Sequence, residues 1–117
     1  MKYMLLIYGN EQTWSALAAL GLDQVLDEHR KLGAELKANG ELVDGIGLTV
    51  DNARVVRVND GVAAVTDGPF TEAKEVLAGY YLVDCDLDRA TEIAARLPEA
   101  PYSPIEIREF TATPLDD

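Results

Sequence analysis

One histidine, His29, is present in the chain, and its neighbours put it where an imidazole could move a proton. Val25 and Leu26 precede it by one helical turn and Leu32 follows by one, so its side chain falls on the apolar stripe that a helix turns toward a sheet. An imidazole held there either bonds a backbone carbonyl or carboxylate as a structural group, or works as an acid/base set by burial against a carboxylate. Asp67 is the second candidate. It precedes Gly68-Pro69-Phe70, where glycine admits positive φ and proline fixes φ near about −65° without an N–H. A carboxylate fixed by such a turn is placed for chemistry, or simply bonds the next backbone N–H groups.

Other side chains could complete a pocket. Tyr80 and Tyr81 alternate on one strand, so one packs while the other can place a hydroxyl toward a ligand. Tyr8, at the end of the first strand, stands in the same position, and Lys74 could hold an anionic group. Ser15 has no glycine elbow and is no nucleophile. Cys85, between Asp84 and Asp86, faces negative charge that disfavours a thiolate. No metal motif and no phosphate-cradling glycine loop is present; Gly45-Ile46-Gly47 has neither the spacing nor the following helix. No cofactor is expected.

The elements that must position these groups can be read in order. Residues 3–8 form a strand and 11–21 a connector with a short helical turn near Trp14. Residues 22–39 form a helix with Leu22, Val25, Leu26, Leu32 and Leu36 on one stripe, stopped by Gly40. A strand follows over 41–49. Strands 54–58 and 62–66 then flank Asn59-Asp60-Gly61, a hairpin signal. Thr71 can cap one helical turn, and 76–85 is another strand. Asp86 or Asp88 caps a helix carrying Ala90, Ile93, Ala94 and Leu97, which Pro98 ends, and 105–110 closes the domain as a one-sided strand. Residues 1–111 form one domain and 112–117 a loose tail. Without the hairpin the order is β-α-β-β-α-β, an α+β ferredoxin-like fold with an inserted β-hairpin.

Two helices cover one face of such a sheet, yet the first strand is apolar on both: Tyr3, Leu5 and Ile7 against Met4, Leu6 and Tyr8. The strand bearing Tyr80 and Tyr81 repeats the pattern. A second copy of the chain is the simplest cover, so a homodimer is expected. The 117 residues carry 21 acidic against 10 basic side chains, a net charge of −11, which disfavours nucleic acid and anionic membrane as partners. A single cysteine fits a reducing compartment, and nothing resembles a signal core or membrane span, so a cytoplasmic location is expected.

The stretch Asp67-Gly68-Pro69-Phe70-Thr71-Glu72-Ala73-Lys74-Glu75 resembles the signature of the YCII-related family, in its DGPF subgroup. The resemblance runs from Lys2 through Arg108 and implies a dimeric α+β barrel. It also implies a first-helix histidine matched with an acid in a cleft; His29 of Glu28-His29-Arg30 matches the helix position, Asp67 is the acid chosen by its turn geometry, and Asp44, in the second strand next to Gly45, is the competing acid. Some members eliminate or dehalogenate ring substrates. The DGPF subgroup also accompanies extracytoplasmic-function sigma factors, which implies a regulatory or ligand-binding module as the alternative. An enzyme requires His29 in a solvent-connected pocket with a carboxylate in hydrogen-bond reach; a structural module would seal it against backbone.

Overall fold

A computed structural model of the chain describes residues 1–69 and 74–111. The chain begins with β1 (Lys2–Gly9), then α1 (Glu11–Leu20) and α2 (Leu22–Ala38). The segment expected to be a connector is thus a full helix. Asn10 caps it by accepting the Thr13 N–H at 3.0 Å, and the Asn10 N–H donates in turn to the Thr13 hydroxyl oxygen, closing a capping box. Gly21, at φ +100°, separates α1 from α2 with a backbone that other residues resist. The chain continues with β2 (Leu42–Gly47), β3 (Arg54–Asn59), β4 (Val62–Asp67), β5 (Val76–Asp84), α3 (Leu87–Arg96) and β6 (Ile105–Glu109). Asp86 is the residue that caps α3, accepting the Arg89 N–H at 2.8 Å.

Four strands make one sheet in the order β2-β5-β1-β6, each neighbour antiparallel. The fold is α+β, and this strand order is compatible with the ferredoxin-like arrangement. Strands β3 and β4 stand off as a separate two-stranded sheet. Their turn uses Asp60 and Gly61, both at positive φ, the backbone that a two-residue hairpin with right-handed twist demands. The turn of helix expected after Thr71 lies outside the described residues, as do Phe70 and residues 112–117.

The core lies between the sheet and its helices. Leu5, Val83, Leu36, Ile93 and Leu97 are at most 1% exposed and pack with Tyr3, Ile7, Leu32 and Tyr81. Polar clamps lock α2 to α3 above this layer. Arg96 binds the Glu35 carboxylate through both guanidinium nitrogens, and Arg89 reaches Glu41 at 2.8 Å. Leu22 and Leu26, expected on the buried stripe of α2, are instead 63% and 52% exposed. Val25, Leu32 and Leu36 form the buried line, while Leu22 and Leu26 border a hollow between α2 and the sheet.

The opposite face of the sheet carries Met4, Leu6, Tyr8, Ile46, Tyr80 and Leu82, and no helix among the described residues covers it. Tyr8 donates to Glu106 at 3.2 Å and Tyr80 to Asp44 at 3.0 Å across that surface. The hairpin is more open still, with Val56, Val58, Val62 and Val65 each 60–68% exposed. A two-stranded ribbon with such a surface has little stability of its own in water.

The junction of β1 and α1 is closely packed. A Cβ placed on Gly9 would stand 2.7 Å from Cζ3 of the Trp14 indole, too close for any rotamer to relieve without moving the ring. Gly9→Ala should therefore destabilise the chain by about 1–3 kcal/mol. Denaturant midpoints for the two proteins check this; equal midpoints would show that Trp14 does not seat on β1.

Candidate functional site

His29 sits on the third turn of α2 with both ring nitrogens bonded to side chains. Nε2 lies 2.7 Å from Oε2 of Glu99, and Nδ1 lies 2.6 Å from the hydroxyl of Tyr81. An ionised carboxylate can only accept, so in the neutral imidazole the proton belongs on Nε2. Nδ1 is then free to accept the Tyr81 O–H. The result is a directed chain: Glu99 accepts from His29, and His29 accepts from Tyr81. The two rings are tilted by 40° with centroids 5.7 Å apart, an orientation that lets Nδ1 face the phenol oxygen.

Three separate elements supply this chain. α2 presents His29, β5 presents Tyr81 on the helix-facing side of the sheet, and the irregular segment after α3 presents Glu99. Tyr81 pairs with Leu5 in the β1–β5 register, which fixes it on the buried face. Glu99 is placed by a tight return of the backbone between Pro98 and Pro101, where its carbonyl accepts from Tyr102 at 2.9 Å and Ser103 at 3.0 Å. Its side chain is 11% exposed and that of His29 22%.

Burial makes these groups strong. Glu99 Oε1 finds no hydrogen-bond donor among the described residues, so the carboxylate's charge is directed at the imidazole. An imidazolium formed beside it would be stabilised by a poorly screened ion pair. Burial first, and the Glu99 charge second, push the Tyr81 hydroxyl up to about 12, so the phenol holds its proton at neutral pH.

The chain Glu99–His29–Tyr81 opens on a cavity of about 580 Å³. Its walls are Ile7, Val25, Leu26 and Leu42, with Arg30 at one side. Four glycines complete the lining: Gly33 of α2, Gly45 and Gly47 of β2, and Gly79 of β5. The volume suits one small organic molecule, apolar over most of its surface, with polar groups converging at one end.

Of the residues expected to form the site, His29 and Tyr81 are brought together. Asp67 is not His29's partner in the chain, because both imidazole nitrogens are already occupied. It ends β4, where its side chain is 92% exposed and faces Arg54 at 3.6 Å. The reason is topological: the Gly68 N–H bonds the Ala53 carbonyl at 2.8 Å, so the turn belongs to the base of the hairpin. Asp44, the competing acid, accepts from Tyr80 on the uncovered face. Tyr8 and Tyr80 lie on that face too, and Lys74 is exposed. Glu99 was missed. Burial, with Glu41 and Asp86 adding to it, pushes the Cys85 thiol up, as its acidic flanks led one to expect.

Among the described residues, no group of three or more His, Cys, Asp and Glu side chains is placed to hold a metal, and no helix is long and apolar enough to cross a membrane.

Tyrosine absorbance against pH tests the Tyr81 bond. The component near pH 12 should vanish in Tyr81→Phe and move down in Glu99→Gln, which removes the charge that raises it. Because the folded value exceeds the ordinary 10.0, the linked stability is complete below pH 10 and is lost as pH rises through about 12. A Tyr81 titration unaltered by Glu99→Gln would break the proposed electrostatic link.

Comparison with known proteins places this geometry in context. The YCII-related domain matches residues 1–112. An uncharacterised protein of Rhizobium meliloti (strain 1021) is 33% identical over 102 residues, covering 86% of this chain and 82% of that protein.

Proposed function

The chain belongs to the YCII-related family, and on that footing we propose that it is a small acid/base enzyme acting on one mostly apolar small molecule. The observation that carries the reading is the doubly bonded imidazole at the wall of an open cavity. In the direction of base catalysis, the substrate gives its proton to the Tyr81 oxygen as the phenol proton passes to His29 Nδ1, and Glu99 holds the resulting imidazolium. The reverse transfer makes Tyr81 the acid. Such a relay serves elimination, dehalogenation or isomerisation, which all turn on removing or replacing a proton beside an activating group.

Two features favour this over a sealed structural histidine. His29 retains 22% side-chain exposure, and its partners are a carboxylate and a phenol rather than backbone. A ligand-binding module tied to a regulatory system would need the cavity but not the relay.

The reading also includes a homodimer. The uncovered face of β1 and β5, with Met4, Leu6 and Leu82, together with the valine-rich hairpin, supplies apolar surface that a second copy would bury. Sheets packed through this face would close the family's dimeric α+β barrel, leaving each Glu99–His29–Tyr81 chain on the helix side.

Solvent hydrogen exchange is the direct test of the relay. Small cyclic ketones, phenols and lactones that shift pocket amides in NMR should exchange their acidic C–H positions with deuterium in the presence of the protein. Tyr81→Phe and His29→Gln should each slow this by about 10²–10⁴-fold. Ligands that bind without any catalysed exchange would instead make the chain a binding module. For assembly, sedimentation should give twice the 12.7 kDa chain mass, and Leu6→Glu with Leu82→Glu should return it to the monomer. A monomeric wild type at micromolar concentration would remove the dimer.

A further inference from the structure

The cavity has a second polar end. Arg30 follows His29 on α2, and consecutive helical residues point about 100° apart. Both residues line the hollow, His29 half-buried and Arg30 exposed. The chain has 21 acidic residues against 10 basic ones, and among the described residues four of the basic side chains pair with carboxylates. Arg54 faces Asp67, Arg96 holds Glu35, Arg89 holds Glu41 and Glu92, and Lys31 faces Asp27. Arg30 makes no ion pair or hydrogen bond among the described residues, although it borders an apolar cavity. We propose that Arg30 is the anchor for a carboxylate on the ligand, and that the ligand is a small ring compound carrying one such group.

Charge placement fixes which way the molecule lies. The Glu99 carboxylate, buried and only half satisfied, repels an anion from the His29 end. An anionic head is therefore driven toward Arg30, whose planar guanidinium can meet a carboxylate through two parallel N–H bonds. The ring then lies along Val25, Leu26 and Leu42 and over the bare backbone of Gly45 and Gly47, and its far side meets the Tyr81 hydroxyl. A phosphate dianion would need further donors that this wall, apolar apart from Arg30, does not offer. This assignment rests on the acid/base reading only for the identity of the reacting end. The anchor itself depends on Arg30.

The test uses benzoate and benzyl alcohol as matched probes with the full chain, followed by amide chemical shifts and calorimetry. Benzoate should bind at least about tenfold more tightly than the alcohol at low salt, with the gap narrowing as salt rises. Arg30→Gln should bring the two probes to near-equal affinity, while Arg30→Lys keeps part of the preference. An unchanged amide spectrum away from the pocket confirms that the variants fold. Equal binding in the wild type, a preference that survives Arg30→Gln, or no response of pocket amides to either probe would each overturn the anchor. The two readings fail separately. Loss of catalysed exchange with the benzoate preference intact would sink the relay alone. Exchange of neutral ligands without that preference would sink the anchor alone.

Discussion

Everything distinctive here depends on one buried carboxylate. Glu99 lies 70 residues from His29 in sequence, and the fold brings its oxygen to 2.7 Å from the ring. A carboxylate in that position is expensive to desolvate, and one hydrogen bond from a neutral imidazole recovers only part of the cost. The structure around it must hold the three groups together, since any loosening would let water replace the ring. The α2–α3 clamps through Glu35, Arg89 and Arg96 do this from above, and the paired centre of the sheet does it from below.

The same constraint explains why β5 is the pivotal strand. Its residues alternate between two environments of different character. On the helix side Tyr81 is buried against Leu5 and bonded to His29. On the other side Tyr80 is tied only to Asp44, at the surface. Burial is the first cause of the high Tyr81 value, whereas the carboxylate bond is the first cause at Tyr80, so two adjacent phenols differ in chemistry because the strand puts them on opposite faces.

Much of the architecture was legible from periodicity. The long helix, the hairpin and both central strands follow from spacing and turn chemistry alone, and the cap of α3 was narrowed to Asp86 or Asp88, of which the structure uses Asp86. The helix α1 did not, because its sequence Glu11-Gln12-Thr13-Trp14-Ser15 has no apolar stripe at its start; the usable signal was Asn10 three residues before Thr13. His29 was legible as a single imidazole on an apolar line. Its partner was not. Glu99 lies in a proline-bounded segment with no period, where burial is decided by packing across the whole domain. Asp67 carried the stronger local signal, but a rigid turn fixes a side chain relative to its own strand, and that strand belongs to the outlying hairpin. The choice between Tyr80 and Tyr81 needed the strand register, because both faces of β5 are apolar.

The cavity owes its shape to absence as much as to enclosure. Gly33 sits inside a helix and Gly47 ends a strand, and a Cβ on Gly33 would meet nothing nearer than 3.9 Å while one on Gly47 would meet nothing within 4 Å. Neither is at a backbone angle that demands glycine. Space here is held open by side chains that were never supplied, on two elements that could carry them without strain. Single codon changes at these positions could trim the cavity methyl by methyl while leaving Glu99, His29 and Tyr81 untouched. In this scaffold the residues that set the space are separate from Glu99, His29 and Tyr81, so the cavity can change shape while that hydrogen-bonded chain stays as it is.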